Sequence, residues 1–370
     1  MGGLGIMIGN TFKNKKVLIT GHTGFKGSWL TIWLLKLGAK VVGISDSVKP
    51  YPSMFSAAKL DDKINHKICD IRNYDDFKEI IENENPDFIF HLAAQAIVSE
   101  SYKNPLDTIT TNVLGVANLL DILKTLNKKI ITVVVTSDKC YENVEWVWGY
   151  KETDHLGGKD IYSGSKGAAE IIFHSYYESF FGSKKSNALI ATGRAGNVIG
   201  GGDWSKDRII ADCMKNWSVG KPIEIRSPEA TRPWQHVLEP LGGYLLLASN
   251  LYYSNKLNGQ SYNFGPRSEQ TRTVLDLIKS LFANTNFKLK DFYIAGNKPF
   301  SEAGLLKLNC DKALHDMDWS ACLDYDECIS LVGDWYKEYY RGSNNIFKFT
   351  LNQISFYEKK ALERGLKWIM

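Results

Sequence analysis

The sequence predicts an α/β fold: a doubly wound parallel sheet covered by helices on both faces, followed by a smaller, mixed α/β domain. Three observations predict it. Short runs of branched apolar residues alternate with helix-patterned stretches for about 200 residues, which is how repeated strand–helix–strand units with right-handed crossovers read. Beyond Gly200 that rhythm stops, glycine and proline become more frequent, and short elements take over. A chain of 370 residues is long enough for two domains of about 100–200 residues each.

Each element has its own signal. Residues 16–20 (Lys-Val-Leu-Ile-Thr) read as a buried strand. A glycine-rich turn follows, then residues 28–37 carry apolar side chains at helical spacing and stop at Gly38. Residues 39–45 and 64–69 read as the second and third strands. Residues 76–84 read as a helix ended by Pro86, and 87–92 as a fourth strand. A long helix is predicted over 106–126, a β-branched fifth strand over 130–136, a helix over 162–181 and a sixth strand over 188–192. Ser261-Tyr-Asn-Phe264 reads as one more short strand that returns the chain to the sheet. The domain organisation expected is therefore 15–198 with 235–265 for the first domain, and 199–234 with 266–340 for the second. Residues 1–14 read as a loose lead-in, with Met7 as a candidate start, and 341–370 as a C-terminal extension holding a helix over 353–364.

Composition narrows the function classes. Lys+Arg 45 against Asp+Glu 41 leaves a net charge of +4, spread along the chain, which argues against a dedicated nucleic-acid binder. Hydrophobic content of 44% with 23% charged residues excludes a disordered chain. Cys69, Cys140, Cys213, Cys310, Cys322 and Cys328 show no CxxC spacing, so a reduced, cytoplasmic protein is expected. No apolar run of 18 residues predicts a membrane span, and residues 1–9 lack the charged start and cleavage site of a signal peptide. Ile6 stands where a myristoylation signal beginning at Gly2 would need Ser or Thr.

Gly21-His-Thr-Gly24-Phe-Lys-Gly27 stands directly after the first strand and opens the first helix. In that context the first glycine permits the tight turn, the second lets backbone approach a pyrophosphate, and the third allows close helix packing. This is the dinucleotide-binding arrangement of a Rossmann-type sheet. Asp46 closes the second strand, 19 residues past Gly27. A carboxylate there accepts from ribose hydroxyls and repels a 2′-phosphate, favouring NAD over NADP; the lesser alternative is a surface-turn Asp, with Lys49 nearby. Asp70, ending the third strand, either meets adenine or caps a helix.

Tyr162-Ser-Gly-Ser-Lys166 places a phenol and an ammonium on one helical face. The ammonium should lower the phenol from its usual pKa of about 10 and make it a base toward a sugar hydroxyl. Thr136-Ser137-Asp138-Lys139 ends the fifth strand, at the sheet edge where ligands bind in open parallel sheets. Ser137 can bond the same hydroxyl, and Asp138 and Lys139 are an extra acid and base for a second proton transfer. Arg194, Arg208, Arg232 and Arg267 are candidates for a diphosphate, and Trp204 and Trp234 for walls of the sugar or base site. The seven histidines show no metal-ligand spacing, so no metal is expected.

Thr20-Gly-x-x-Gly-x-x-Gly27, His91-Leu-Ala-Ala-Gln95, Asn112-Val, Ser137 and Tyr162-x-x-x-Lys166 resemble the extended short-chain dehydrogenase/reductase family. Thr136-Ser-Asp-Lys-Cys-Tyr141, Glu145-Trp-Val-Trp-Gly-Tyr150, the block 194–204 and Arg232-Pro-Trp-Gln-His-Val237 are similar to its nucleotide-sugar 4,6-dehydratases, in the branch acting on CDP-glucose. The resemblance runs from about residue 15 to about 340. It implies a redox-neutral cycle in which hydride leaves sugar C4, water is lost between C5 and C6, and hydride returns at C6, with NAD as catalyst. It implies Ser137, Asp138, Lys139, Tyr162 and Lys166 as catalytic residues. Cofactor contacts would come from Gly21, Thr23, Gly24, Phe25, Lys26, Gly27, Asp46, Asp70, Ile71, Leu92, Ala93, Ala94, Gln95, Asn112, Tyr162 and Lys166. Substrate contacts would come from Gln95, Ser137, Asn197, Arg208, Arg232 and Arg267. One departure stands out: Lys139 occupies the position where the dTDP-glucose branch carries a glutamate base. The resemblance also implies a homodimer through helices 106–126 and 162–181, where Phe173, Tyr176 and Phe180 add apolar surface, or a tetramer of such dimers. It places the chain in deoxysugar synthesis for surface polysaccharide such as lipopolysaccharide O-antigen. A nucleotide-sugar 4-epimerase and a dinucleotide-binding scaffold are the competing readings; the first has no use for Asp138-Lys139, and the second has no use for Tyr162 and Lys166.

Overall fold

The computed structural model describes residues 8–48, 51–182, 186–267, 270–285, 292–294 and 305–369. Met7 and Lys49 lie outside them. Seven strands form one sheet: β1 (Lys16–Thr20), β2 (Lys40–Ser45), β3 (Asn65–Ile68), β4 (Phe88–His91), β5 (Ile131–Val135), β6 (Leu189–Ala195) and β7 (Ser261–Phe264). Their order is β7-β6-β5-β4-β1-β2-β3, and every neighbouring pair is parallel. The residues are the ones a sheet covered on both faces selects: Val17, Leu18, Ile19, Val133 and Val134 are fully buried. The order reverses between β1 and β4, so a crevice opens beyond their carboxyl ends at Thr20 and His91, which are register partners.

Helix α1 (Phe25–Lys36) buries Trp29, Leu30, Ile32, Trp33 and Leu34, more than one sheet face requires. Its outer side is covered by the end of the chain. Helices α5 (Tyr325–Tyr340) and α6 (Ile346–Glu363) fold back, and Glu358 of α6 accepts from Trp33 Nε1 at 3.0 Å and Lys36 Nζ at 2.5 Å. The tail beyond residue 341 is therefore part of the core, with Tyr357 and Trp368 buried. Residues 8–14 are likewise not a loose lead-in: Ile8 and Phe12 are fully buried, and Ile8 N–H donates to the Trp368 carbonyl at 3.0 Å. Phe12 packs on Phe88 and Phe90 of β4 and Tyr357 on Trp33 of α1, cover that no local pattern reveals.

Helix α2 (Pro105–Thr125) contains a π-turn at Thr110–Leu114 and packs beside α3 (Ile161–Tyr176), which ends in a second π-turn, Tyr177–Phe181. Among the described residues, α2 is the one helix long and apolar enough to cross a membrane by length and composition, but half of its window is buried as in a core helix. After β6 come short ribbons: Val198–Ile199 parallel to Gln235–His236, Thr231–Pro233 antiparallel to Thr271–Thr273, and Ile223–Ile225 parallel to Phe292–Ile294. Helix α4 (Leu238–Tyr253) then returns the chain to β7.

Candidate active site

The turn after β1 is shaped by contacts that only glycine permits. Gly21 has φ +75°, and a Cβ there would lie 2.7 Å from the backbone nitrogen of Ala93. At Gly27 a Cβ would lie 2.2 Å from the Gly21 carbonyl oxygen. The turn thus lies against the loop leaving β4, and α1 starts directly on the turn. Gly24 caps α1 without a side-chain hydrogen bond, and the first turn holds no acidic residue. Its N–H groups and the positive end of the helix dipole are left for an anion. Thr23 faces inward, its hydroxyl donating to the Ser47 carbonyl at 3.0 Å and lying in hydrogen-bond contact with Ser45 Oγ at 3.1 Å, so it braces the β2 end. Asp46 is exposed beyond β2 and accepts from Ser47 Oγ at 3.1 Å. Asp70 grips Arg72 through Nε and Nη2, which holds its carboxyl below the usual carboxylate range. Asn73, not Asp70, caps the helix that follows.

Asn112, in the π-turn of α2, ties the loop beyond β4 to α3. It accepts from Gln95 N–H at 2.8 Å and donates to Ser165 Oγ at 2.9 Å. The Gln95 side chain, expected at the sugar, is committed elsewhere: it donates to Thr108 Oγ1 and the Ile97 carbonyl and accepts from Ile97 N–H. Ile71 is buried, and Leu92, Ala93 and Ala94 are half-buried in the loop beyond β4.

Ser137 follows β5 and opens a single 3₁₀ turn, Asp138–Cys140, by accepting from Lys139 N–H at 3.3 Å. Ser137 Oγ donates to Asp138 Oδ1 at 2.9 Å and also lies within hydrogen-bond reach of Tyr162. Asp160 caps α3 through Ser163, fixing Tyr162 in the first turn and Lys166 one turn later, with Nζ 6.0 Å from the Tyr162 ring centre. Ser137, Asp138, Tyr162 and Lys166 are all buried, while Lys139 is half-buried.

The electrostatics differ in one respect from the expectation. Burial pushes the Tyr162 phenol up, opposed by Arg208 and the Ser137 hydrogen bond; it is not lowered. Desolvation of a phenolate outweighs the nearby charges. Burial also pushes Lys166 down to about 8 and Lys26 down to about 8, and raises the Asp138 carboxyl. Lys26, expected at the phosphates, shares the field of Asp138, Lys166, Arg208 and Asp203, so the first turn of α1 borders the catalytic groups.

Other candidates fall elsewhere. Arg194 lies on β6, fully buried and paired with Glu170 of α3, not at a diphosphate. Trp204 packs among Trp335, Tyr336 and Tyr339, and Trp234 is buried, so both are core side chains. Asn197 follows β6 and accepts through its carbonyl from Gln235 N–H at 3.2 Å. Arg208 is exposed and donates to the Ala96 carbonyl at 3.2 Å, reaching over the cofactor loop. Arg232 donates to its neighbour's carbonyl, and Arg267 is exposed past β7. Sequence reasoning did not single out Gly196, where a Cβ would lie 2.9 Å from Asp138 Oδ2. It also missed the Glu170–Arg194 pair, whose one local signal was Glu170 four residues after Lys166.

The residues present fit a dinucleotide. The Gly21–Ala93 approach forms a cradle that any Cβ would fill. At the sheet edge beside it, the buried His91 Nε2 has no partner among the described residues, and burial holds the imidazole neutral with a pKa of about 3. No group of three His, Cys, Asp or Glu side chains is placed to hold a metal among the described residues.

The family model described as GDP-mannose 4,6 dehydratase matches residues 18–331. The chain is 40% identical over 341 residues to the CDP-glucose 4,6-dehydratase of Salmonella typhimurium strain LT2, covering 90% of this chain and 94% of that protein. It is 21% identical to the dTDP-glucose 4,6-dehydratase of Haemophilus influenzae, covering 86% of this chain and 97% of that one. Among solved structures, the UDP-glucose 4-epimerase of Thermotoga maritima with UDP-glucose superposes with a TM-score of 0.75 at 20% identity, over 88% of this chain and 99% of that one. The dTDP-glucose 4,6-dehydratase of Bacillus anthracis with NAD gives 0.71 at 20% identity, over 88% and 97%. These structural likenesses carry the fold, and the extent of the family match with the near-full-length identity carries the assignment: the chain belongs to the GDP-mannose 4,6 dehydratase family, the nucleotide-sugar 4,6-dehydratases of the extended short-chain dehydrogenases/reductases.

Proposed function

We propose that this protein converts CDP-glucose to CDP-4-keto-6-deoxyglucose and water, a step toward deoxysugars of surface polysaccharide. The observation that carries the reading is the buried Asp138 beside Ser137 and Tyr162, an acid added to alcohol-oxidising machinery. The 40% identity to a CDP-glucose 4,6-dehydratase supports the choice of substrate. A 4-epimerase would have no use for that acid.

NAD, held by the Gly21–Gly27 turn, Asp46, the loop 92–95 and Lys166, supplies the hydride acceptor and donor when bound. Tyr162 removes the proton of the sugar 4-hydroxyl while Ser137 orients that hydroxyl. Lys166 holds the nicotinamide ribose and offsets the phenolate charge. Oxidation at C4 makes the C5 proton acidic. Asp138, whose carboxyl burial raises, gives its proton to the departing 6-hydroxyl. Lys139 is the base proposed at C5. Asn197, Arg208, Arg232 and Arg267 are the side chains proposed for the nucleotide diphosphate.

Incubating the protein with CDP-, dTDP-, UDP- and GDP-glucose should give the 4-keto chromophore in alkali from CDP-glucose alone. Another preferred nucleotide, or no chromophore, overturns the reading. Lys139→Met should abolish solvent-deuterium exchange at C5; undiminished exchange would remove Lys139 from the proton step.

A homodimer in the cytoplasm, needing neither membrane nor nucleic acid, is the proposed state. Leu106 and Leu114 of α2 and Ile171 of α3 are 74%, 43% and 53% exposed, and Phe180 is 39% exposed, together forming an apolar face on two adjacent helices. Phe173 does not contribute, because it is buried in the core beneath the sheet.

A further inference from the structure

One buried ion pair joins the chain segments that carry the catalytic groups. Glu170 lies one turn beyond Lys166 on α3, and Glu170 and Arg194 are both inaccessible to solvent. Arg194 donates through Nε to Oε1 at 3.0 Å and through Nη2 to Oε2 at 2.9 Å, a two-pronged grip. The carboxylate also accepts from the hydroxyls of Thr136, Thr192 and Ser261. Arg194 Nη1 donates to Tyr141 Oη at 2.7 Å and to the Glu152 carbonyl at 3.3 Å.

The placement is specific to the catalytic frame. Thr136 immediately precedes Ser137. Arg194 stands two residues before Gly196, against which Asp138 rests. Glu170 shares its helix with Tyr162 and Lys166. Buried charge pairs add little stability over apolar residues of the same size, so stability alone does not explain this one. We propose that Glu170 is a positioning residue for the reaction: it supplies the fixed negative charge beside the buried Lys166 ammonium, while Arg194 locks that carboxylate to β6 and Thr136 ties it to the end of β5, which bears Ser137 and Asp138. The proposal rests on the role given to Lys166 above.

Charges around the pair agree with it. Burial drives Lys166 down to about 8, and the influences opposing that are Cys140 and Glu170. Burial alone would raise Glu170, but Arg194 and the hydroxyls hold it at about 2, ionised at every working pH. Burial keeps the Cys140 thiol and the Tyr141 phenol neutral. His174, on the same helix, shares a hydrogen bond with Ser261 Oγ at 3.3 Å, and burial holds it below its ordinary range. Glu152 and Lys312 lie beside Arg194, Glu178 lies near His174, and Lys26 of α1 shares the field of Lys166 and Asp138. Among the described residues, Glu170 is the carboxylate whose charge bears on Lys166 from α3.

The test uses the holoenzyme, with kcat and KM for CDP-glucose measured across pH and NAD affinity by fluorescence titration. In Glu170→Gln the alkaline limb of kcat should move down by about one pH unit, a loss of about tenfold on that side. KM should stay nearly constant, and NAD affinity should fall at the same lower pH. The double substitution Glu170→Met with Arg194→Met strands no charge, so it should fold and show a smaller shift in the same direction. A folded double variant whose pH profile and NAD titration match the unsubstituted protein would overturn the proposal and leave the pair purely structural. If Glu170→Gln fails to fold, the double variant decides. Turnover of CDP-glucose by the unsubstituted protein separates failure of this inference from failure of the dehydratase reading.

Discussion

Tyr162→Phe should yield a folded protein whose kcat for 4-keto product is lower by about 10³-fold, within the range that general base groups contribute. The ring is buried against the catalytic turn and would remain, so a thermal melt close to that of the unsubstituted protein is expected. What is lost is the oxygen that takes the 4-hydroxyl proton. Burial raises this phenol, so its basic form appears only as pH rises, and the acid limb of the unsubstituted kcat profile should belong to it. Arg208 opposes that rise, which gives an exposed loop residue a stake in the rate. The measurement is product chromophore against pH for both proteins. A fall of less than about tenfold would place the base on another residue.

Asp138→Asn should be the second most damaging change, with product formation down by about 10²–10³-fold while deuterium exchange at C5 continues. The two readouts separate because the acid is needed only when the 6-hydroxyl leaves. Burial raises the Asp138 carboxyl above its ordinary value, despite Lys139 and the Ser137 hydrogen bond. As the proposed acid, Asp138 works in its protonated form, which disappears as pH rises through that elevated value. Part of the alkaline decline in the unsubstituted protein should come from this loss, and asparagine should remove that part. Loss of C5 exchange together with product would mean that Asp138 acts earlier, at the oxidation step.

The central strands were legible from runs such as Val17-Leu-Ile19, because a strand buried on both faces needs apolar residues at every position, whereas the edge strand β3, Asn65-His-Lys-Ile68, is partly exposed and carries no such run. The glycine turn and Tyr162-x-x-x-Lys166 were legible because their chemistry depends on short spacing. Arg194 was not: it reads as a loop arginine until β6 carries it beneath α3, where Glu170 waits 24 residues away in sequence. Trp204 read as a binding-site wall because its cover, Trp335, Tyr336 and Tyr339, comes from a helix more than a hundred residues later. Gln95 stood in the right loop, but its side-chain partners, Ile97 and Thr108, are set by the fold of that loop. The phenol was misjudged in direction because spacing reports which charges are near and says nothing of the water removed.

The zipped ends of the chain have a practical meaning. Because Ile8 is seated against Trp368, a short peptide bridge could close the polypeptide into a ring with little rearrangement. New ends could then be opened in a surface loop, as circular permutation requires, and every rung of the sheet would survive. The order in which the elements are joined is thus separable from how they pack.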